Sequence, residues 1–150
     1  MRETGRVLYP FGYGLTYGSA ELAEVKVNGQ AVARNGEVMP ADKDGLTVEA
    51  LVANTGSRDL REVVQVYIKA DSPDAVTNGK LCSFACLTVS AGESRTITVK
   101  LDRDALTVIN EAGEKVSGGA RFTVSIGFGQ PDERTRELTG REAFTFSLER

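Results

Sequence analysis

Acid–base and nucleophilic chemistry needs titratable groups gathered at one place, and this sequence offers few. Its 150 residues include no histidine. Histidine is the commonest general acid or base, and without it Ser-His-Asp and Cys-His catalysis are excluded. Carboxylates are plentiful, 21 against 18 basic side chains. Their close pairs are Asp42 and Asp44, Asp102 and Asp104, and Asp132 and Glu133. These fall in turns or on polar strand faces, where Asp and Glu are ordinarily solvated. Asp102-Arg103-Asp104 resembles a fragment of a calcium loop but lacks the remaining oxygen ligands at loop spacing. Cys82 and Cys86 stand four residues apart. In a strand that is about 13 Å, beyond the ~7 Å that a disulfide tolerates. They read as free thiols, which favours a cytoplasmic, reducing compartment, and two thiols without histidine do not complete a zinc site. Phe11-Gly12-Tyr13-Gly14 lacks the helix and lysine of a phosphate loop. No catalytic, cofactor-binding or metal-ligating residue is assigned, and no cofactor is expected.

The bulk properties narrow the partners. A net charge of −3 with both signs mixed argues against nucleic acid and against a polybasic membrane contact. No apolar run approaches the ~20 residues of a membrane-spanning helix. Hydrophobic residues make up 41% of the chain, ordinary for a globular domain, and a chain of this length buries a core without disulfides. The first residues lack the apolar stretch of a secretory signal, and Met1 reads as the start of an excised piece, whose parent could be periplasmic or secreted.

Strand signals supply the scaffold. Segments 46–53, 62–69, 81–89, 94–101, 121–126 and 142–148 are extended, β-branched or alternating. The cleanest is Ser94 to Leu101, with Ile97, Val99 and Leu101 on one face and Thr96, Thr98 and Lys100 on the other. In the second segment Val64, Val66 and Ile68 share a face opposite Val63, Gln65 and Tyr67. A shorter strand, 23–27, ends at the hairpin-type turn Asn28-Gly29, and a short strand pair is expected within 31–39. Asp102 to Leu106 suggests one helical turn with Asp102 as N-cap. Seven to eight strands without a long helix predict an all-β antiparallel sandwich of the immunoglobulin or fibronectin type III-like kind. The chain has no tryptophan, so the fibronectin variant fits better.

Residues 1–19 form a leader outside this pattern, ahead of a sandwich over 20–150. Tyr9, Pro10, Phe11, Tyr13, Leu15 and Tyr17 sit among Gly12, Gly14 and Gly18. Glycine at this density breaks regular structure, and the aromatic rings need a surface to bury against. Two alternatives stay open: the leader folds back over one end of the sandwich, or it docks on another domain.

Three stretches together resemble glycoside hydrolase family 3 enzymes, the β-glucosidase-like group. Val7 to Tyr17 is similar to their Tyr-Pro-Phe-Gly-x-Gly-Leu-Ser/Thr-Tyr segment. Asn54-Thr55-Gly56 followed by Glu62 to Tyr67 resembles the strand–turn–strand of their C-terminal fibronectin type III-like domain. Leu81-Cys82-Ser83-Phe84, Ala91 to Ser94, Leu101 to Leu106 and Gly129-Gln130-Pro131-Asp132 follow in order. Cys82-Ser83 stands where the family usually has Lys-Gly, and Ala91 where it has proline.

The resemblance implies a parent that hydrolyses β-glycosides by a retaining two-carboxylate mechanism, with both carboxylates on upstream domains. This chain would then be a non-catalytic accessory domain, with the upstream catalytic domains of the same parent chain as its partner. The six leader residues would be its domain-docking set. The alternatives are a carbohydrate- or cell-wall-binding module, with Tyr67 and Tyr17 as platform candidates, and an oligomerisation element that self-associates through an exposed leader.

Overall fold

The computed structural model describes residues 18–38 and 45–150, together with Leu8. In chain order the strands are β1 (Ala20–Val27), β2 (Gln30–Ala31), β3 (Glu37–Val38), β4 (Leu46–Asn54), β5 (Leu60–Ala70), β6 (Lys80–Val89) and β7 (Ser94–Leu101). A 3-10 turn (Arg103–Leu106), β8 (Thr107–Ile109), β9 (Lys115–Ser117), β10 (Arg121–Gly127), helix α1 (Glu133–Thr139) and β11 (Phe144–Glu149) complete it. Seven of the described strands are six residues or longer, and they are the ones alternation marks in the sequence. The other four are two or three residues long.

One sheet has the order β2-β1-β4-β7 and the other β3-β11-β10-β5-β6. The long strands pair antiparallel throughout. The two sheets face each other across one apolar core. Val48, Ala50 and Val52 of β4 meet it from one side, and Val64, Val66, Phe122, Val124, Phe146 and Leu148 from the other. All-β sandwich architecture of the fibronectin kind is therefore what the alternation encodes.

Tight turns sit where backbone geometry demands special residues. Asn28 and Gly29 take φ values of 48° and 80° between β1 and β2, the left-handed pair that matches strand twist in a two-residue hairpin. Asn54 explains the Asn-Thr-Gly corner. Its side chain is buried, its Nδ2 donates to Arg58 O at 2.7 Å and Val89 O at 3.0 Å, and its Oδ1 accepts from Gly56 N at 3.0 Å.

Three details depart from the sequence reading. The segments β2 and β3 do not pair with each other: β2 extends the β1 hairpin, and β3 adds in parallel to β11. The reason is that Asn35 N donates to Thr145 O and Ser147 N to Gly36 O, which draws this stretch to the opposite sheet. Asp102 occupies the N-cap position of the 3-10 turn, but its side chain makes no capping bond. The β8–β9 hairpin and α1 were not anticipated, being too short for their periodicity to register. The leader residues Tyr9, Pro10, Phe11, Tyr13, Leu15 and Tyr17, and the pair Asp42 and Asp44, lie outside the described residues.

Candidate functional site

Strand β5 is unusual in being buried on both faces. Residues Val64, Gln65, Val66, Tyr67 and Ile68 are consecutively buried. The even-numbered ones face the core. The odd-numbered ones lie under the loop Phe128–Asp132 and α1, which cross the outer face of the five-stranded sheet. Between this cover and the sheet lies a cleft of about 1210 Å³. Its floor includes Val63, Tyr67, Lys69, Ser125 and Thr145, and its wall includes Phe128, Asp132, Thr135 and Leu138.

The wall is positioned by a short, well-capped helix. Asp132 is extended, and its Oδ1 accepts from Thr135 N at 2.6 Å, satisfying one of the free amides at the helix start. Gly140 ends the helix at φ 68°, with its N–H donating to Arg136 O at 2.8 Å. A seven-residue helix is not stable by itself, so it depends on this capping and on Thr135 and Leu138 facing the sheet.

The polar groups of the cleft are mostly engaged with one another. Tyr67 Oη donates to Gln65 Oε1 at 2.8 Å. Burial, helped by the nearby Asp132 carboxylate, pushes the Tyr67 phenol above its ordinary pKa of 10.0. At the end of the cleft, Arg141 Nη1 meets Glu62 Oε1 at 3.1 Å, with Glu62 buried. Arg141 Nη2 reaches Gly18 O at 3.4 Å. The same guanidinium lies 5.1 Å from the centroid of the Phe128 ring, within cation–π range. On the opposite rim Arg34 Nη1 donates to Ala143 O at 2.8 Å.

Among the described residues the sequence-derived carboxylates do not converge. Asp104 is exposed and bonds Lys115 at 2.7 Å, which holds its carboxyl below the usual range. Asp132 serves as a helix cap. Among the described residues no group of three or more His, Cys, Asp or Glu is placed to hold a metal ion. Tyr67, offered as a sugar platform, is 5% exposed and its ring is covered; sugar stacking needs an open aromatic face. Cys82 and Cys86 are both free. The residues that sequence reasoning missed are Glu62 and Arg141. A signal existed for the first: Glu62 shares strand parity with Leu60, Val64, Val66 and Ile68, all core, where an unpaired carboxylate is rare. Nothing in the sequence marks Arg141 as its partner 79 residues away.

Comparison with known proteins agrees with this architecture. Residues 62–130 match the family described as Fibronectin type III-like domain. The chain is 33% identical over 121 residues to a β-xylosidase of Formosa agariphila, covering 80% of this chain and 16% of that protein. The fold superposes on the β-glucosidase of Listeria innocua in complex with gluconolactone with a TM-score of 0.70 and 26% identity, over 95% of this chain and 17% of that one. It also superposes on the GH3 β-glucosidase of Bifidobacterium adolescentis with a TM-score of 0.66 and 29% identity, over 83% of this chain and 17% of that one. The chain thus spans 16% of the length of the curated relative and 17% of each solved structure. The sandwich, its Asn-Thr-Gly corner held by the buried Asn54 and these likenesses agree: the chain belongs to the fibronectin type III-like domains of glycoside hydrolase family 3.

Proposed function

We propose that this chain is a non-catalytic accessory domain of a family 3 glycoside hydrolase, packing against the catalytic domains and supporting them. The observation that carries this reading is the unequal coverage: 80% of this chain matches 16% of a β-xylosidase, so the module corresponds to a minor part of a much larger enzyme. The parent would hydrolyse β-glycosides by a retaining mechanism, with its two carboxylates on other domains. The carboxylates described here support the division of labour. Glu62 is held by Arg141, Asp132 caps α1, and Asp104 bonds Lys115, which leaves these three committed to structure. On this side the docking set is Tyr9, Pro10, Phe11, Tyr13, Leu15 and Tyr17.

Two measurements test the reading. The isolated chain is expected to hydrolyse aryl β-glycosides no faster than buffer; turnover that copurifies with the chain overturns the non-catalytic assignment. A parent enzyme lacking residues 1–19 of this module is expected to lose thermal stability or assembly of its catalytic domains, and an unchanged enzyme would sink the supporting role.

A further inference from the structure

Three threads of the chain meet at Arg141. Its Nη1 bonds Glu62 Oε1 of β5 at 3.1 Å, its Nη2 donates to Gly18 O at 3.4 Å, and the guanidinium lies 5.1 Å from the Phe128 ring centroid. Phe128 precedes α1 and Arg141 follows it, so their contact closes the helix segment on itself. The backbone of Arg141 is tied to the helix as well. Its N–H donates to Thr139 Oγ1 at 3.1 Å, and that hydroxyl donates to Thr135 O at 2.7 Å. Two hydrogen bonds thus run from the body of α1 to the residue whose side chain holds β5. The backbone bonds of this stretch, Asp132 N to Gln130 O, Arg136 N to Asp132 O and Gly140 N to Arg136 O, stay inside it. Its attachment to the sheet therefore rests on side chains such as Arg141.

The chain enters the sandwich at the same place. Ser19 O accepts from Thr55 N at 2.9 Å and from Thr55 Oγ1 at 3.3 Å. Next to it, a Cβ on Gly18 would collide with Leu60 Cδ1. Leu60 and Glu62 are two apart on β5 and both buried, so they share a face of the strand. Gly18 packs on the first, and its carbonyl is reached by the arginine that the second holds.

We propose that Arg141 is a latch that couples the α1 segment to the point of entry at Gly18–Ser19, so that the two open as one unit. Lifting α1 withdraws the guanidinium from Gly18 O and leaves the buried Glu62 without its partner. Displacing Gly18 takes an acceptor from the same guanidinium. Two sites that bias one shared group bias each other reciprocally. A contact that lifts α1 is therefore felt at Gly18 without touching it. This coupling belongs to the module itself and holds whether or not the accessory role does.

Native-state hydrogen exchange of the 150-residue chain in a urea series reads both ends at once. The Arg136 and Gly140 amides report α1, and the Thr55 amide, bonded to Ser19 O, reports the entry. The three are expected to share one opening equilibrium, with a urea slope well below that of the β10 amides, because only part of the buried surface is exposed. Asp132→Ala removes the helix N-cap and should speed all three by the same factor, about fivefold. Asp132→Asn still caps and should leave them as they are. In a chain carrying Glu62→Gln and Arg141→Met the latch is gone and no charge is stranded; there Asp132→Ala should speed the α1 amides while Thr55 no longer follows. Different opening equilibria for Thr55 and α1 in the unaltered chain overturn the proposal. So does a Thr55 slope equal to that of β10, or a Thr55 amide that still follows Asp132→Ala once the latch is removed.

Discussion

Arg141 and Glu62 form an ion pair across 79 residues of chain, with the guanidinium at 3.1 Å from a buried carboxylate. The Arg141 side chain keeps 32% of its surface exposed against 5% for Glu62, so the burden of desolvation falls on the glutamate. Removing only the arginine strands that charge. Arg141→Met is expected to lower the unfolding free energy by about 3 kcal/mol. Glu62→Gln combined with Arg141→Met should recover part of the loss, because the orphaned charge is gone. Urea unfolding of the two single variants and the double variant checks this; strict additivity would show that the pair is not coupled.

Asn54 holds the Asn-Thr-Gly corner by three hydrogen bonds from one buried side chain. Asn54→Ala leaves Val89 O, Arg58 O and Gly56 N without those partners, and is expected to cost about 2–3 kcal/mol. Asn54→Asp should be no better, since a carboxylate cannot donate to the two carbonyls. Thermal melts of both variants measure it; a shift within error for either would remove the corner from the list of stabilising features.

The Tyr67 phenol has its pKa raised above 10.0, by burial first and by Asp132 second. The folded state therefore keeps its proton where the unfolded state loses it. That contribution is complete below pH 10 and is lost as pH rises through the raised folded value. Tyr67→Phe should flatten the fall in stability above pH 10 while lowering stability near neutrality by about 1 kcal/mol through loss of the bond to Gln65. Urea midpoints taken between pH 7 and pH 11 give the comparison, and parallel curves for the two proteins would refute it.

The two thiols should separate kinetically. Cys86 is exposed, whereas Cys82 is partly packed against the core and has its pKa raised from 9.0 chiefly by burial. Thiolate is the reactive form. A disulfide-exchange reagent at pH 8 is expected to modify one cysteine per chain rapidly and the second at least tenfold more slowly, converging when urea is added. Cys86→Ser should abolish the fast phase; retention of that phase would reverse the assignment.

The seven long strands were legible because each has one face in the core, and alternation is the direct imprint of that burial. The outer face of β5 was not. Gln65 and Tyr67 fall on the face opposite Val64, Val66 and Ile68, and α1 and its preceding loop cover them. That cover is encoded by Asp132 and Gly140 as caps on a helix of two turns, too brief for a hydrophobic period to emerge. The parallel addition of β3 to β11 rests on backbone bonds, Asn35 N donating to Thr145 O and Gly36 O accepting from Ser147 N, which leave no side-chain pattern. The ion pair at the cleft end was half visible, as a carboxylate at a core parity position in β5.

Strand order has a consequence for how the module is made. The strand β11, last in sequence, is not at the margin of its sheet: it lies between β3 and β10, and its Phe146 and Leu148 are fully buried. During synthesis the upstream strands emerge with the place between β3 and β10 still open. The core cannot seal until residues 144–149 arrive, so this module completes late and in one step rather than growing strand by strand from its N-terminal side.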